Sequence, residues 1–573
     1  MKDFILKRLK NYKKNIKFDV FYPKEKNFGD YSTNIALVLA KKESRNPKEI
    51  ALEIIDFLKN DKKFKNYFDM EIAGAGFINF FFKDKVFIKR LNDFRKNNFK
   101  IDKLDLFKDK KYLIEFPDQN PFKSFHIGHL RTAIIGESLS RVLEFCCASV
   151  IRTNYQGDVG LHIAKFFYGL QKKKKQNPDI EKKLKTIDQK MDFMADCYVI
   201  GANAYKENKK AKEEINQINK KIYQMHSDIK KEWLEKRKWS LDKFDQIYER
   251  LNTGFDKFYF ESQMAQAALK ICNKAYKKGI LKKDDQCLIF DGEKYGLNKR
   301  VFVNKQGLPT YEGKELALAY KEFSDFGKID KAIHVVGREQ ENFFKITFLV
   351  EKMLDEELFD DKQYHLSYGM VSVKDIKMSS RLGNVVLGET VMDKAKEEII
   401  KIISLREQGM AVGIKNEIAE KLALAAVKYS FLKINSRKDM VFDLKESVKV
   451  EGQSGPYIMY SYVRALNILK KTSSKELKEV MEIKFLKQEK NLLKQLLKFN
   501  EIVKKAAQDY QISDICQYCY DLATAFSNFY DKVPVNSEKD AKLKNARILM
   551  VKLYAQIIKK NFYLLGIKTV DRM

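Results

Sequence analysis

The segment from Lys111 to Phe145 constrains the fold of this chain more than any other. Lys111 to Phe116 is an apolar run of the length of one buried strand. Pro117, Asp118, Asn120 and Pro121 break that run and predict a loop. From His126 apolar residues recur at helical spacing to about Phe145. Strand, tight loop and helix start, in that order, is the unit with which a parallel α/β sheet holds nucleotide phosphates. A helix start offers free backbone N–H groups and a partial positive charge to an anion. Gly128 would let a ligand approach the backbone where a Cβ would obstruct it. His126 and His129 are three residues apart and share one helical face. Each imidazole can donate a hydrogen bond to phosphate, charge-assisted if protonated. A His-x-x-His pair also suits half of a metal site, but no third ligand stands nearby and no metal site is assigned.

A second segment, Asp375-Ile-Lys-Met-Ser-Ser-Arg-Leu-Gly-Asn384, is a basic loop of Lys377, Met378, Ser379, Ser380 and Arg381. A cationic loop that closes over a triphosphate offsets the charge that builds on a leaving pyrophosphate. With the His126–His129 turn, this loop resembles the paired signatures of the class I aminoacyl-tRNA synthetases. The stretch from Glu115 to Phe145 is similar to the arginyl-tRNA synthetases, and the resemblance covers nearly the whole chain.

Composition points the same way. Lys and Arg number 110 against 78 Asp and Glu, a formal charge of +32, which favours a polyanionic partner such as nucleic acid. Seven scattered cysteines suit reduced thiols in a cytoplasmic protein, and Cys516-Gln-Tyr-Cys519 lies in a helical pattern, as buried structural thiols would. The basic N-terminus has no apolar core of signal-peptide length, and no apolar run is long enough for a membrane span.

Taken in order, the chain predicts four parts, with an α/β, doubly wound parallel-sheet (Rossmann-like) catalytic domain at its centre. Residues 1–105 read as a small α+β domain, with a helix from Asn27 through Ala40 capped by Asp30 or Ser32, a helix over Pro47–Leu58, and a strand over Glu71–Phe82. Its FGDYSTN and GAGFINF segments resemble a tRNA-contacting N-terminal domain. Residues 106–390 read as the catalytic domain, with a charged, mostly helical insertion over 171–300. Leu288–Phe290, Arg300–Val303, Ala332–Val336 and His365–Val373 read as strands whose C-terminal ends converge on one crevice. Residues 391–452 read as connecting helices, and 453–573 resemble the family's all-helical anticodon-binding domain.

The resemblance implies an arginine–tRNA ligase: ATP, arriving with Mg²⁺, activates L-arginine to an adenylate that passes to the terminal adenosine of tRNA(Arg). It implies that His126, Gly128, His129, Lys377, Met378, Ser379, Ser380 and Arg381 hold ATP, with His126, His129 and Lys377 catalytic. Ser380 stands where the family usually has a second Lys, and Lys123 occupies the place of a compensating Lys. By the same resemblance Glu115 and Asn120 meet the ends of the substrate, Tyr311 and Glu315 its guanidinium, and Gln340 makes a further polar contact. Glu315 replaces the family's usual Asp; its alternative is a surface salt bridge with Lys314 or Lys321. A monomer is the family norm. A class I synthetase for another amino acid, or a tRNA-binding paralogue without catalysis, are the competing readings.

Overall fold

The computed structural model describes residues 1–23, 25–374, 386–406, 409–472 and 477–573. Five strands form its central sheet: β1 (Lys111–Glu115), β2 (Ser149–Gln156), β3 (Lys257–Phe260), β4 (Lys331–Gly337) and β5 (Gln363–Tyr368). All pair in parallel, in the spatial order β5-β4-β1-β2-β3. The order reverses between β4 and β1, so the crevice for a ligand lies beyond their C-terminal ends.

Between β1 and β2 runs the helix α1 (Ile127–Phe145), buried on nearly every side. A helix apolar all round belongs in a core, and here helices of the C-terminal half cover what the sheet does not. Polar bolts fix it. Arg131 is fully buried, and its guanidinium donates to the carbonyls of Gly369, Met370, Ser436 and Lys438. Ser138 donates to the carbonyl of Leu564, in the last helix, Ala541–Leu564. The buried Lys428 donates to the carbonyls of Leu251 and Gly566, tying the end of the insertion to the end of the chain.

Several sequence expectations are corrected. Glu71–Phe82 is not one strand but a hairpin of Phe68–Ala73 and Phe77–Phe82, turned by Gly74 and Gly76 at φ +55° and +128°. The helix expected from Asn27 starts only at Ile35, because Tyr31–Thr33 pairs as a strand with that hairpin. Asp30 caps no helix; its carboxylate accepts from the N–H of Phe82. Cys287–Phe290 and Arg300–Val303 pair antiparallel in a separate small sheet, since their short connection cannot make a parallel crossover. The stretch His365–Val373 is split: β5 ends at Tyr368, and Val371–Lys374 pairs instead with Met440–Asp443. At the break a Cβ on Gly369 would lie 2.4 Å from the Lys438 carbonyl carbon. Inside the expected 171–300 segment, between the helices Ser227–Leu251 and Glu261–Lys277, β3 is an edge strand of the central sheet.

The N-terminal unit docks on the helix Lys487–Asp509 through Lys490–Asp84, Lys494–Asp30 and Lys504–Asp3 pairs. On the same helix Glu501 accepts from the hydroxyls of Tyr22 and Tyr31, each at 2.6 Å.

Arg131→Leu would strand four buried carbonyls. It is expected to destabilise the protein by about 3 kcal/mol or more, read as a lower denaturation midpoint; an unchanged midpoint contradicts the bolt.

Candidate functional site

The turn into α1 uses its backbone donors internally. The His126 imidazole Nδ1 accepts from the N–H groups of Gly128 (3.1 Å) and His129 (3.4 Å), and His129 Nδ1 accepts from the N–H of His126 (3.3 Å). The N–H of Ile127 donates to the Val386 carbonyl. The helix start therefore does not offer the free N–H groups expected from sequence. What remains is on the side chains: with each Nδ1 accepting, each neutral ring carries its proton on Nε2 as a donor. The rings stack at 3.6 Å. Burial, then the neighbouring Lys123, pushes His126 down to about 4, and burial, then His126, holds His129 well below the usual imidazole value. Both are neutral donors at neutral pH, so the charge-assisted option is excluded. A Cβ on Gly128 would lie 2.8 Å from the His126 ring, so the glycine first makes room for the cap itself.

Lys123 is half-buried beside Glu261 and Lys165, its ammonium pushed below the usual lysine value by burial. Its loop is pinned from the insertion, where Ser240 Oγ accepts from the N–H of Phe122. Asn120 Oδ1 accepts from the N–H of Gly157 and Asp118 Oδ1 from that of Tyr155, fixing the loop to the end of β2. Lys377, Met378, Ser379, Ser380 and Arg381 lie outside the described residues.

At the switch point the register of β1 and β4 sets Glu115 opposite His334. Glu115, Glu315 and His334 are all buried. His334 Nδ1 lies 3.0 Å from Glu115 Oε1 and 3.9 Å from Glu315 Oε1. Behind it, His334 Nε2 meets Gln363 Oε1 at 2.9 Å, and Gln363 Nε2 donates to Glu351 Oε2. Glu322, also buried, accepts from Thr153 Oγ1. Burial pushes Glu115 up to about 8; burial and then the charge of Glu115 do the same to Glu315. Asp118, Glu322 and Glu351 are raised well above the carboxylate range, first by burial. Among the described residues none of these five carboxyls pairs with Lys or Arg. Glu115 Oε2, the Tyr155 hydroxyl and the Gln119 and Gln156 carboxamides are buried without partners. An acidic, unsatisfied pocket of this kind suits a cation that also donates hydrogen bonds.

The surface salt bridge considered for Glu315 is not formed: Lys314 pairs with the buried Glu261, and Lys321 with Asp325. Tyr311 starts α2 (Tyr311–Phe326), exposed, with the Lys314 ammonium 4.6 Å from its ring. Gln340 is exposed in the turn after β4 and is not brought into the cluster; the amide that reaches His334 is that of Gln363. Sequence reasoning missed His334, Glu261, Gln363 and Glu351. The available signal was a single His in the otherwise apolar run Ala332–Val336.

Comparisons with known proteins were made for the whole chain. Residues 95–444 match the family described as tRNA synthetases class I (R), catalytic domain. Residues 1–82 match the arginyl tRNA synthetase N terminal domain, and 458–573 the DALR anticodon binding domain. An arginine–tRNA ligase of Treponema denticola is 32% identical, covering 89% of this chain and 87% of its own. That of Fusobacterium nucleatum is 29% identical over 96% of this chain and 94% of its own. The fold superposes on Thermus thermophilus arginyl-tRNA synthetase with a TM-score of 0.81 at 20% identity, covering 100% of this chain and 99% of that one.

Groups whose folded pKa is raised from 4.5 to about 8 contribute stability that is fully present below about 4.5 and lost as pH rises through about 8. Glu315→Gln removes one of them. The variant is therefore expected to gain stability relative to the parent as pH rises across that window, measured by denaturation midpoints; a difference independent of pH contradicts the burial argument.

Proposed function

The chain belongs to the class I arginyl-tRNA synthetases and is an arginine–tRNA ligase, and on that premise we propose that the crevice between β1 and β4 binds L-arginine beside ATP. The observation that carries this reading is the buried Glu115–Glu315 pair, which faces no Lys or Arg among the described residues. Arginine supplies the missing positive charge, and its planar N–H groups match carboxylate oxygens. Asn120, its Oδ1 held by Gly157, turns its amide N–H toward the substrate's carboxylate end. Tyr311 and Gln340 contribute from the outer rim.

ATP enters as its Mg²⁺ complex. The reaction asks for positioning and charge stabilisation more than covalent chemistry from the protein. The arginine carboxylate attacks the α-phosphate, pyrophosphate leaves, and the acyl group passes to the terminal adenosine of tRNA(Arg). His126 and His129 donate from Nε2 to phosphate and sugar, and Lys123 supplies the fixed positive charge beside them. Lys377, Met378, Ser379, Ser380 and Arg381, outside the described residues, are assigned to the pyrophosphate end of ATP by the family resemblance alone.

In this reading residues 1–105 contact tRNA, 106–390 carry the chemistry, 391–452 connect, and 453–573 bind the anticodon. The seven cysteines are all free, which supports a cytoplasmic enzyme, here read as a monomer.

Amino-acid-dependent ATP–pyrophosphate exchange, run over the twenty amino acids with and without tRNA, tests the assignment. Exchange is expected with arginine alone and strongly only with tRNA present; equal exchange with another amino acid overturns it. Lys123→Ala is expected to lower kcat for adenylation by roughly 100-fold or more while arginine KM moves less than about threefold. A change confined to arginine KM contradicts the role of Lys123.

A further inference from the structure

Gln363 fixes the hydrogen-bonding state of His334. Its Nε2 donates to Glu351 Oε2, which leaves Oε1 to face His334 Nε2 at 2.9 Å. With the amide in this orientation, His334 carries a proton on Nε2 and donates it. Nδ1 then stands 3.0 Å from Glu115 Oε1 with one proton to be placed between them. Either Glu115 donates O–H to a neutral ring, or the ring donates Nδ1–H to a carboxylate. In both forms the pair has zero net charge. Glu315 has no such partner; its nearest approach to His334 Nδ1 is 3.9 Å.

The other titratable groups facing this trio are Asp118, Tyr155, Tyr259, Glu261, Glu322, Glu351 and His365. Of the carboxyls among these only Glu261 has a cationic partner, Lys314. The pocket therefore has no spare positive charge for a second free carboxylate.

We propose that His334 is a positioning residue of the arginine pocket: it holds one proton in common with Glu115, so that Glu115 can turn a charged carboxylate to the substrate while Glu315 alone loses a proton to solvent. When the guanidinium arrives, the shared proton moves from Glu115 Oε1 to His334 Nδ1, and the Glu315 O–H bond breaks with its proton leaving for water. Two carboxylates and one imidazolium form, a net gain of one negative charge that matches the incoming positive charge, and the dry pocket stays neutral. The raised positions of Glu115 and Glu315 agree with protons being present before substrate binds. This inference rests on the reading that Glu115 and Glu315 line the arginine site.

The test is calorimetric titration of the full chain with L-arginine in buffers of different ionisation enthalpy, which counts the protons released. The parent is expected to release about one proton near neutral pH and never more than about one between roughly pH 6 and pH 9. Glu315→Gln, where it binds, is expected to release almost none. A parent count near two, or near zero at neutral pH, overturns the proposal, as does a Glu315→Gln variant that still releases about one. His334→Gln can donate to Glu115 but cannot share its proton. It is expected to raise arginine KM about tenfold or more with kcat little changed; an unchanged KM overturns the positioning role. If that variant does not fold, the parent count alone decides. Should Glu115→Gln and Glu315→Gln both leave arginine affinity unchanged, the site assignment itself fails; weakened affinity with the wrong count removes only the proton-sharing role.

Discussion

Taking a carboxylate out of water costs several kcal/mol unless a positive charge or hydrogen bonds replace the solvent. At the switch point of this sheet Glu115, Glu315, Glu322 and Glu351 are buried together with His334, and among the described residues no Lys or Arg pairs with them. Parallel pairing of β1 and β4 makes the arrangement unavoidable once the register is set, because it places Glu115 against His334. Burial pushes Glu115 and Glu315 up to about 8, so these groups hold their protons and the cost of a bare charge is avoided. A site in this state is stabilised most by a ligand that brings a positive charge and several N–H donors.

The neighbouring half of the crevice solves a different problem. A helix start could bind an anion through its backbone, yet here His126 and Val386 take the N–H groups of residues 127 to 129. The donors are moved outward onto two stacked, neutral imidazoles. The frame behind them is rigid: Arg131 bolts α1 to the break after β5, and Ser138 and Lys428 bolt it and the insertion to the end of the chain.

The strand, loop and helix over residues 111–145 were legible because a short apolar run, a Pro-rich break and a helical period meet there without overlap. Residues 68–82 were not, since apolar alternation continues on both sides of Gly74 and Gly76 and hides the reversal. The pairing of Cys287–Phe290 with Arg300–Val303, and not with the central sheet, is a choice between partners that no local pattern records. Within the site, Glu115 and Glu315 were named only because the family resemblance implied them; no local pattern singles them out. His334 carries no sequence signal beyond its place in an apolar strand, and only the β1–β4 register sets it against Glu115. Gln340 and Gln363 show the same limit: the amide that meets His334 is the one that β5 carries, not the one closer in sequence.

The central claim is that positive charge on the substrate side chain, not its length or shape, satisfies this pocket. Citrulline separates the two, because it replaces the guanidinium by a neutral urea of nearly the same size. Comparing kcat/KM of arginine and citrulline in tRNA-dependent pyrophosphate exchange measures the contribution of the charge. The structure predicts a preference for arginine of roughly 1,000-fold or more, since a neutral side chain leaves buried carboxyl groups unmatched. Comparable activation of the two would contradict it.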